Sequence, residues 1–123
     1  MYINLLIKIK NAQEAGKDSL KSPFSKMDLA IAELLFRQGY LKNVESKGKT
    51  IKRMIEINLK EGKAIKGLRI VSRPSRRLYA GYRDIRSVKS GYGIGVVSTS
   101  KGIMSDKEAR QQKLGGQLLF QIW

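Results

Sequence analysis

The sequence contains neither cysteine nor histidine, and these two absences exclude several kinds of chemistry. Without cysteine there is no disulfide and no thiolate nucleophile, which suits a reducing compartment. Without histidine, most zinc sites and the usual general base near neutral pH are missing as well. No apolar stretch approaches the ~20 residues that a membrane-spanning helix needs. The sequence therefore disfavours a disulfide-rich, zinc-dependent or membrane-spanning protein, and no secretory signal is predicted.

Acidic residues are also scarce, and this scarcity gives the strongest compositional signal. The 123 residues include 25 Lys and Arg but only 10 Asp and Glu, so the formal net charge is +15. Residues 47–89 contain fourteen basic and three acidic residues, a net charge of +11. Clustered positive charge on a small chain is typical of a protein that binds nucleic acid. A merely solvated surface and an anionic membrane are the alternatives, but no basic amphipathic helix with aromatic residues on its apolar face is found.

Helical spacing of apolar residues dominates the first 39 positions. It predicts one helix over 2–15, ended by Gly16, and a second helix that begins after Ser25 and ends at Gly39. Ser25 and Asp28 have the spacing of a capping box. The predicted buried face of the second helix consists of Met27, Ile31, Leu34 and Leu35.

Apolar alternation and glycine-rich turns follow. A short, mostly polar helix is predicted over 106–113, beginning at Ser105, with Asp106 and Glu108 interpreted as capping residues. Pro74 must interrupt the sheet, because proline cannot donate to a strand ladder. Strands are predicted over 40–44, 51–59, 65–72, 94–97 and 118–123.

The balance between helix and strand changes near residue 62, which predicts an α+β fold of two small lobes. The N-terminal lobe, residues 1–62, has two helices and short strands. The C-terminal lobe, residues 63–123, is mostly β with one short helix. We expect this second lobe to carry RNA recognition, for the reasons that follow.

Two short motifs invite an enzymatic interpretation, and both lack the context that catalysis needs. Ser98-x-x-Lys101 matches the S-x-x-K of serine β-lactamases, but the S-D-N and K-T-G elements are missing and the serine ends an apolar strand. Gly91-x-Gly93-x-Gly95 precedes a strand, whereas a dinucleotide-binding loop follows one. Because the carboxylates are also scattered, we interpret the chain as a binding protein that is not an enzyme.

The same stretch, IGVVSTSKG at 94–102, suits RNA recognition better. Distorted or single-stranded RNA is bound through hydroxyls, backbone groups and planar side chains that meet unstacked bases. Ser98, Thr99 and Ser100 offer three hydroxyls on a rigid strand end, and Lys101 offers a charge for a phosphate. A polar turn without function is the alternative interpretation.

Five stretches of the chain resemble a known family. In order along the chain, they resemble the bacterial and organellar family of small-subunit ribosomal protein number eight over essentially the whole length. The V-S-T-S-K-G-[IV]-M block is highly specific to that family. The stretches are KIKNAQEAGK (8–17), PFSKMDLAIAELLFRQGYL (23–41), VSRPSRRLY (71–79), VVSTSKGIMSDKEAR (96–110) and LGGQLLFQIW (114–123).

The resemblance implies a fold of two α+β lobes and a role in the ribosome. Members of the family bind directly, without a cofactor, to the central domain of small-subunit ribosomal RNA early in assembly, mostly through the C-terminal lobe. Some bacterial members also repress translation of their own messenger RNA. We therefore expect a cytoplasmic, ribosome-bound structural protein, bacterial or organelle-encoded. Its other expected partners are neighbouring small-subunit proteins, with no membrane and no small-molecule substrate.

The resemblance also assigns RNA contacts to individual residues. Ser98–Lys101 are expected to meet the distorted core of an RNA stem, with Tyr79 beside them and the backbone at 115–116 close to the same region. Ser25 and Lys26 match a contact at a helix N-terminus, where backbone N–H groups suit a phosphate. The complete expected set is Ser25, Lys26, Arg73, Arg76, Arg77, Tyr79, Ser98, Thr99, Ser100, Lys101, Gly115, Gly116 and Gln117.

The sequence departs from the family pattern at three places, and several alternative interpretations remain. Gln117 stands where Glu is usual, Ala80 where a basic residue often follows the tyrosine, and Met1–Asn4 in place of an Asp-Pro start. Tyr79 could serve only in packing, Ser25 only as an N-cap, and the arginines as an unspecific basic face. A stand-alone RNA-binding regulator or assembly factor of the same fold, and a DNA-binding architectural protein, are the alternative functions.

Overall fold

A computed structural model describes residues 2–48, 53–60, 65–72, 75–86 and 93–123. The chain divides into two compact units, Met1–Ile65 and Lys66–Trp123. Each unit combines helix with antiparallel sheet, which confirms the predicted α+β fold of two lobes. The lobe boundary predicted at residue 62 lies outside the described residues.

The N-terminal unit packs two helices with a three-stranded antiparallel sheet of order β1-β3-β2. Strand β1 was not predicted, because its five residues, Ser-Leu-Lys-Ser-Pro, bury little apolar surface. It is an edge strand, where Pro23 at its last position is tolerated. The elements are α1 (Tyr2–Glu14), β1 (Ser19–Pro23), α2 (Lys26–Arg37), β2 (Leu41–Lys47) and β3 (Met54–Leu59).

The predicted core of this unit is confirmed at all but one of its described positions. The apolar side chains of α2 and β3 that were predicted to be buried are buried, but Met27 is 36% exposed and that prediction is wrong. The buried stripe of α2 runs through position 28, so Asp28 takes the core-facing place in the first turn. Ile51, the remaining predicted core residue, lies outside the described residues. The confirmed residues are Ile31, Leu34, Leu35, Ile55, Ile57 and Leu59.

The C-terminal unit has a sheet of order β4-β8-β6-β7, with the short β5 also paired to β8. Strand β6 is two residues longer than predicted, and β7 was not predicted because only two residues separate it from β6. Strand β4 is shorter than the predicted 65–72, and Gly116 begins β8 rather than preceding it. The elements are β4 (Leu68–Ile70), β5 (Tyr79–Ala80), a 3₁₀ turn (Tyr82–Asp84), β6 (Ile94–Thr99), β7 (Gly102–Ser105), α3 (Asp106–Gln111) and β8 (Gly116–Ile122).

Within the described ranges, the helices α1, α2 and α3 end in the same hydrogen-bonded motif. Gly16 after α1 and Gly39 after α2 have φ of 71° and 88°, which confirms the predicted helix ends. After α3 the same position is held by Lys113, with φ of 56°. The Lys113 N–H donates to the Arg110 carbonyl at 3.2 Å, and the Leu114 N–H donates to the Ala109 carbonyl at 2.9 Å, a Schellman motif.

Replacing Lys113 by Gly should stabilise the protein. A side chain strains the left-handed conformation that the motif requires, and glycine removes that strain, so we expect a gain of about 0.5–1 kcal/mol. The matched control is Lys107→Gly inside α3, which should instead lose about 1 kcal/mol. Urea unfolding of the three proteins measures both changes. If both substitutions changed the free energy of unfolding in the same direction, Lys113 would not be strained in its left-handed conformation.

Candidate nucleic-acid interface

Strands β6 and β7 form a hairpin, and the predicted RNA-binding stretch covers the end of β6 and the turn. Thr99 pairs with Gly102, so Ser100 and Lys101 are the two turn residues. The Thr99 Oγ1 accepts a hydrogen bond from the Lys101 N–H at 3.2 Å and donates one to the Gly102 carbonyl at 2.8 Å. Gly102 has φ of 115°, a conformation that favours glycine. The turn is therefore held in one shape by its own hydrogen bonds.

The three hydroxyls of this stretch are not equivalent. The Thr99 hydroxyl hydrogen is used inside the turn, which leaves that group only acceptor capacity for a ligand. Ser100 and Lys101 are exposed at the tip. Among the described residues, none forms a hydrogen bond with the Ser100 hydroxyl, so this hydroxyl can both donate to and accept from a ligand.

Three predicted RNA-binding residues lie in one row across three strands. Tyr79 on β5 is opposite Gln117 on β8, and Gln117 is opposite Ser98 on β6. Directly opposite residues of antiparallel strands present their side chains on the same face. Tyr79 is 68% exposed, whereas Gln117 and Ser98 are half-buried. A ring, an amide and a hydroxyl therefore share one face, one row from the Ser100–Lys101 turn.

Gly115 and Gly116 allow these strands to approach one another. A Cβ on Gly115 would lie 2.6 Å from the Ala80 carbonyl oxygen, and a Cβ on Gly116 would overlap the carbonyl oxygen of Ser98. Both obstacles are backbone atoms, which cannot turn aside as a side chain would. The paired glycines thus bring the backbone of β8 against β5 and β6, the strands that carry Tyr79 and Ser98.

Residues 2–123 match the family model described as ribosomal protein S8. The chain belongs to the ribosomal protein S8 family. Because the family consists of ribosomal proteins, the prediction that this chain is not an enzyme is confirmed.

Curated S8 relatives from several bacteria align with almost the whole chain. Each is named small ribosomal subunit protein uS8. The protein of Erythrobacter litoralis is 42% identical over 98% of this chain and 94% of the relative. The proteins of Mycoplasmopsis pulmonis and Zymomonas mobilis subsp. mobilis are 42% and 43% identical over 98% of the chain, covering 93% and 94% of their own lengths.

The expected set of RNA contacts also includes three arginines that precede Tyr79 in the sequence. Arg76 and Arg77 are exposed in the segment that leads to Tyr79. Arg73 lies outside the described residues. Their part in binding RNA stays a prediction.

In the N-terminal unit, Ser25 has a structural role. Its Oγ accepts a hydrogen bond from the Asp28 N–H at 3.0 Å and caps α2, as the capping-box spacing predicted. Burial raises the pKa of the Asp28 carboxyl, while Ser25 and Lys8 act in the opposite direction. Lys26 is exposed at the first position of the helix. A phosphate contact by these two residues stays a prediction.

Two residues that position the strands of the candidate site were missed at the sequence level. Ser72 is fully buried, and its Oγ accepts a hydrogen bond from the Leu78 N–H at 2.9 Å, which fixes the residue before Tyr79. Its only sequence signal is a small hydroxyl at a strand end before Pro74, which is too weak to assign. Asp106 was interpreted as a capping residue, yet its carboxylate accepts from the Gly95 N–H at 3.2 Å and pairs with Arg110 at 2.9 Å. That contact depends on tertiary packing.

In the part of the chain that the structure describes, no helix is long and apolar enough to cross a membrane. The described residues also contain no group of three or more potential metal ligands among Asp, Glu, His and Cys.

Proposed function

We propose that this chain is a structural component of the small ribosomal subunit that binds directly to a distorted stem in the central domain of its ribosomal RNA. The observation that carries the proposal is the row of Tyr79, Gln117 and Ser98 beside the exposed Ser100–Lys101 turn. We call these five residues the recognition surface. Family membership supports ribosomal RNA as the ligand, and small-subunit proteins are its expected neighbours.

Each side chain of the recognition surface has a distinct use against RNA. The exposed Tyr79 ring offers a platform on which an unpaired base can stack. The Gln117 amide and the Ser98 and Ser100 hydroxyls can donate and accept hydrogen bonds at base edges and 2′-hydroxyls. Lys101 supplies charge to a phosphate. Because Gln117 is neutral, it can hydrogen-bond to the RNA without the negative charge that Glu would bring to this position.

Ser100→Ala should weaken binding to the cognate stem by roughly ten- to a hundredfold. A base edge or 2′-hydroxyl buried against Ser100 loses its partner, which costs about 1–3 kcal/mol, and ~1.4 kcal/mol corresponds to tenfold in affinity. Binding to a scrambled stem of the same length should be unchanged, because that binding depends on phosphates. Filter binding or electrophoretic mobility shift with both stems at several salt concentrations gives these affinities.

The comparison variant is Lys101→Gln, which separates charge from recognition. It should weaken cognate and scrambled stems alike and reduce the slope of log affinity against log salt by about 0.7–0.9. If a folded Ser100→Ala protein binds the cognate stem as tightly as the parent, the turn does not recognise RNA. If the parent chain never distinguishes the two stems, the proposed function itself is wrong.

A stand-alone RNA-binding regulator or assembly factor is distinguished by where the protein resides. A subunit component should co-sediment stoichiometrically with small subunits through a high-salt wash, whereas a factor should leave mature particles. A messenger RNA that carried a copy of the stem would compete for the same surface. Competition between the stem and the protein's own messenger RNA therefore tests whether this chain also represses its own synthesis.

A further inference from the structure

A basic groove lies within the N-terminal unit and is lined by none of the five residues of the recognition surface. It has a volume of about 490 Å³ and runs between α1 and β1. None of its described lining residues is acidic. Its lining consists of Lys8, Asn11, Ala12, Ala15, Lys17, Ser19, Leu20 and Lys21.

The fold explains why this surface is open. Ala12 on α1 and Ala15 just after it are small, so they leave room between the helix and the strand. The chain turns at Gly16 through a Schellman motif, in which the Lys17 N–H donates to the Ala12 carbonyl at 2.9 Å. The motif places Lys17 at the groove. It also gives the Ala12 carbonyl a hydrogen-bond donor, and without a donor that carbonyl would repel an anion. Cationic walls and a small-residue floor make a channel for a negatively charged chain.

Two nearby carboxylates are each paired with a lysine that does not line the groove. Lys21 on β1 faces Glu56 on β3, but the Glu56 carboxylate is paired with Lys47 at 2.9 Å, and Lys47 lowers the pKa of that carboxyl more than Lys21 does. Asp18, between Lys17 and Ser19, is exposed and is not among the lining residues. Glu14 on α1 is paired with Lys10 at 3.3 Å. Lys8, Lys17 and Lys21 are exposed.

We propose that this groove binds the phosphate backbone of an RNA helix, as a second contact that contributes affinity without reading sequence. The proposal rests on the proposed function for its partner, ribosomal RNA, but uses different residues. Three lysines, the Asn11 amide and the Ser19 hydroxyl are groups that bind phosphate and ribose oxygens. None of the described lining residues is aromatic, so none of them offers a ring for a base to stack on. The groove is therefore suited to charge and shape rather than to base identity.

The test is the double variant Lys17→Gln/Lys21→Gln in the full-length chain. Removing two phosphate contacts should reduce the salt slope of RNA binding by about 1.4–1.8, which at 0.1 M salt corresponds to roughly 25- to 60-fold weaker binding. The loss should be equal for the cognate and the scrambled stem. The charge-retaining variant Lys17→Arg/Lys21→Arg should keep the parent slope.

The matched control is Arg37→Gln/Lys42→Gln, which removes the same charge from exposed positions of the same unit outside the groove. We expect it to change the slope much less. Equal salt slopes for the two double Gln variants would contradict a phosphate site in the groove. The lysines would then contribute only through the overall positive charge of the unit. A parent chain that binds cognate and scrambled stems equally would instead defeat the proposed function, while the slope comparison on either RNA still decides the groove.

Discussion

Gly116→Ala should destabilise the C-terminal unit by at least about 3 kcal/mol, a far larger cost than that of an ordinary surface glycine. The added Cβ would overlap the Ser98 carbonyl oxygen, and its next neighbours, the Ser98 carbonyl carbon and the Thr99 Cα, would lie 2.9 and 3.2 Å away. These are backbone atoms of β6, so the clash can be relieved only by separating β6 from β8. Such a loss lowers the midpoint of thermal unfolding by roughly 10–15 °C for a chain of this size.

Gly81→Ala is the control for this prediction. A Cβ there would meet nothing closer than an Asp84 carboxylate oxygen at 4.0 Å, and the Gly81 φ of −72° is one that any residue adopts. Calorimetry of both variants should leave Gly81→Ala within about 1 kcal/mol of the parent. A Gly116→Ala protein as stable as the Gly81→Ala protein would show that β6 and β8 do not need the close approach.

The second large effect is expected from Asp106→Ala, which should cost about 3–5 kcal/mol. The Asp106 side chain is only 5% exposed and serves both the Gly95 N–H and the Arg110 guanidinium. Its removal leaves a buried N–H without an acceptor and a half-buried cation without a partner. Because Gly95 lies in β6, the loss should also loosen the strand that carries Ser98.

The pair Lys10–Glu14 provides a control with the same four-residue spacing. Its carboxylate is 46% exposed, so Glu14→Ala should cost no more than about 0.5 kcal/mol. Asp106→Asn keeps an acceptor for the Gly95 N–H and should lose less than Asp106→Ala. Denaturant unfolding ranks the three variants. If Asp106→Ala and Glu14→Ala cost the same, the buried carboxylate is not needed to join α3 to β6.

Local features of the fold were well predicted. Ser25 and Ser105 cap their helices, Gly16 and Gly39 end theirs, and the parity of Ile55, Ile57 and Leu59 faces the core, all as expected. These features depend on the backbone conformation and exposure of a few consecutive residues. They can therefore be predicted from the types and the spacing of those residues. Strand β1 was missed for the converse reason, since its residues carry little apolar signal and its pairing with β3 is distant in sequence.

The sequence by itself therefore determined the α+β class, the helix termini, the basic character and, through its motifs, the family. Only the tertiary structure decided which residues meet. Tyr79, Gln117 and Ser98 come from three separate segments and align because β8 pairs with both β5 and β6. That register depends on backbone hydrogen bonds and on the close approach at Gly116, and neither leaves a periodic signal along the chain.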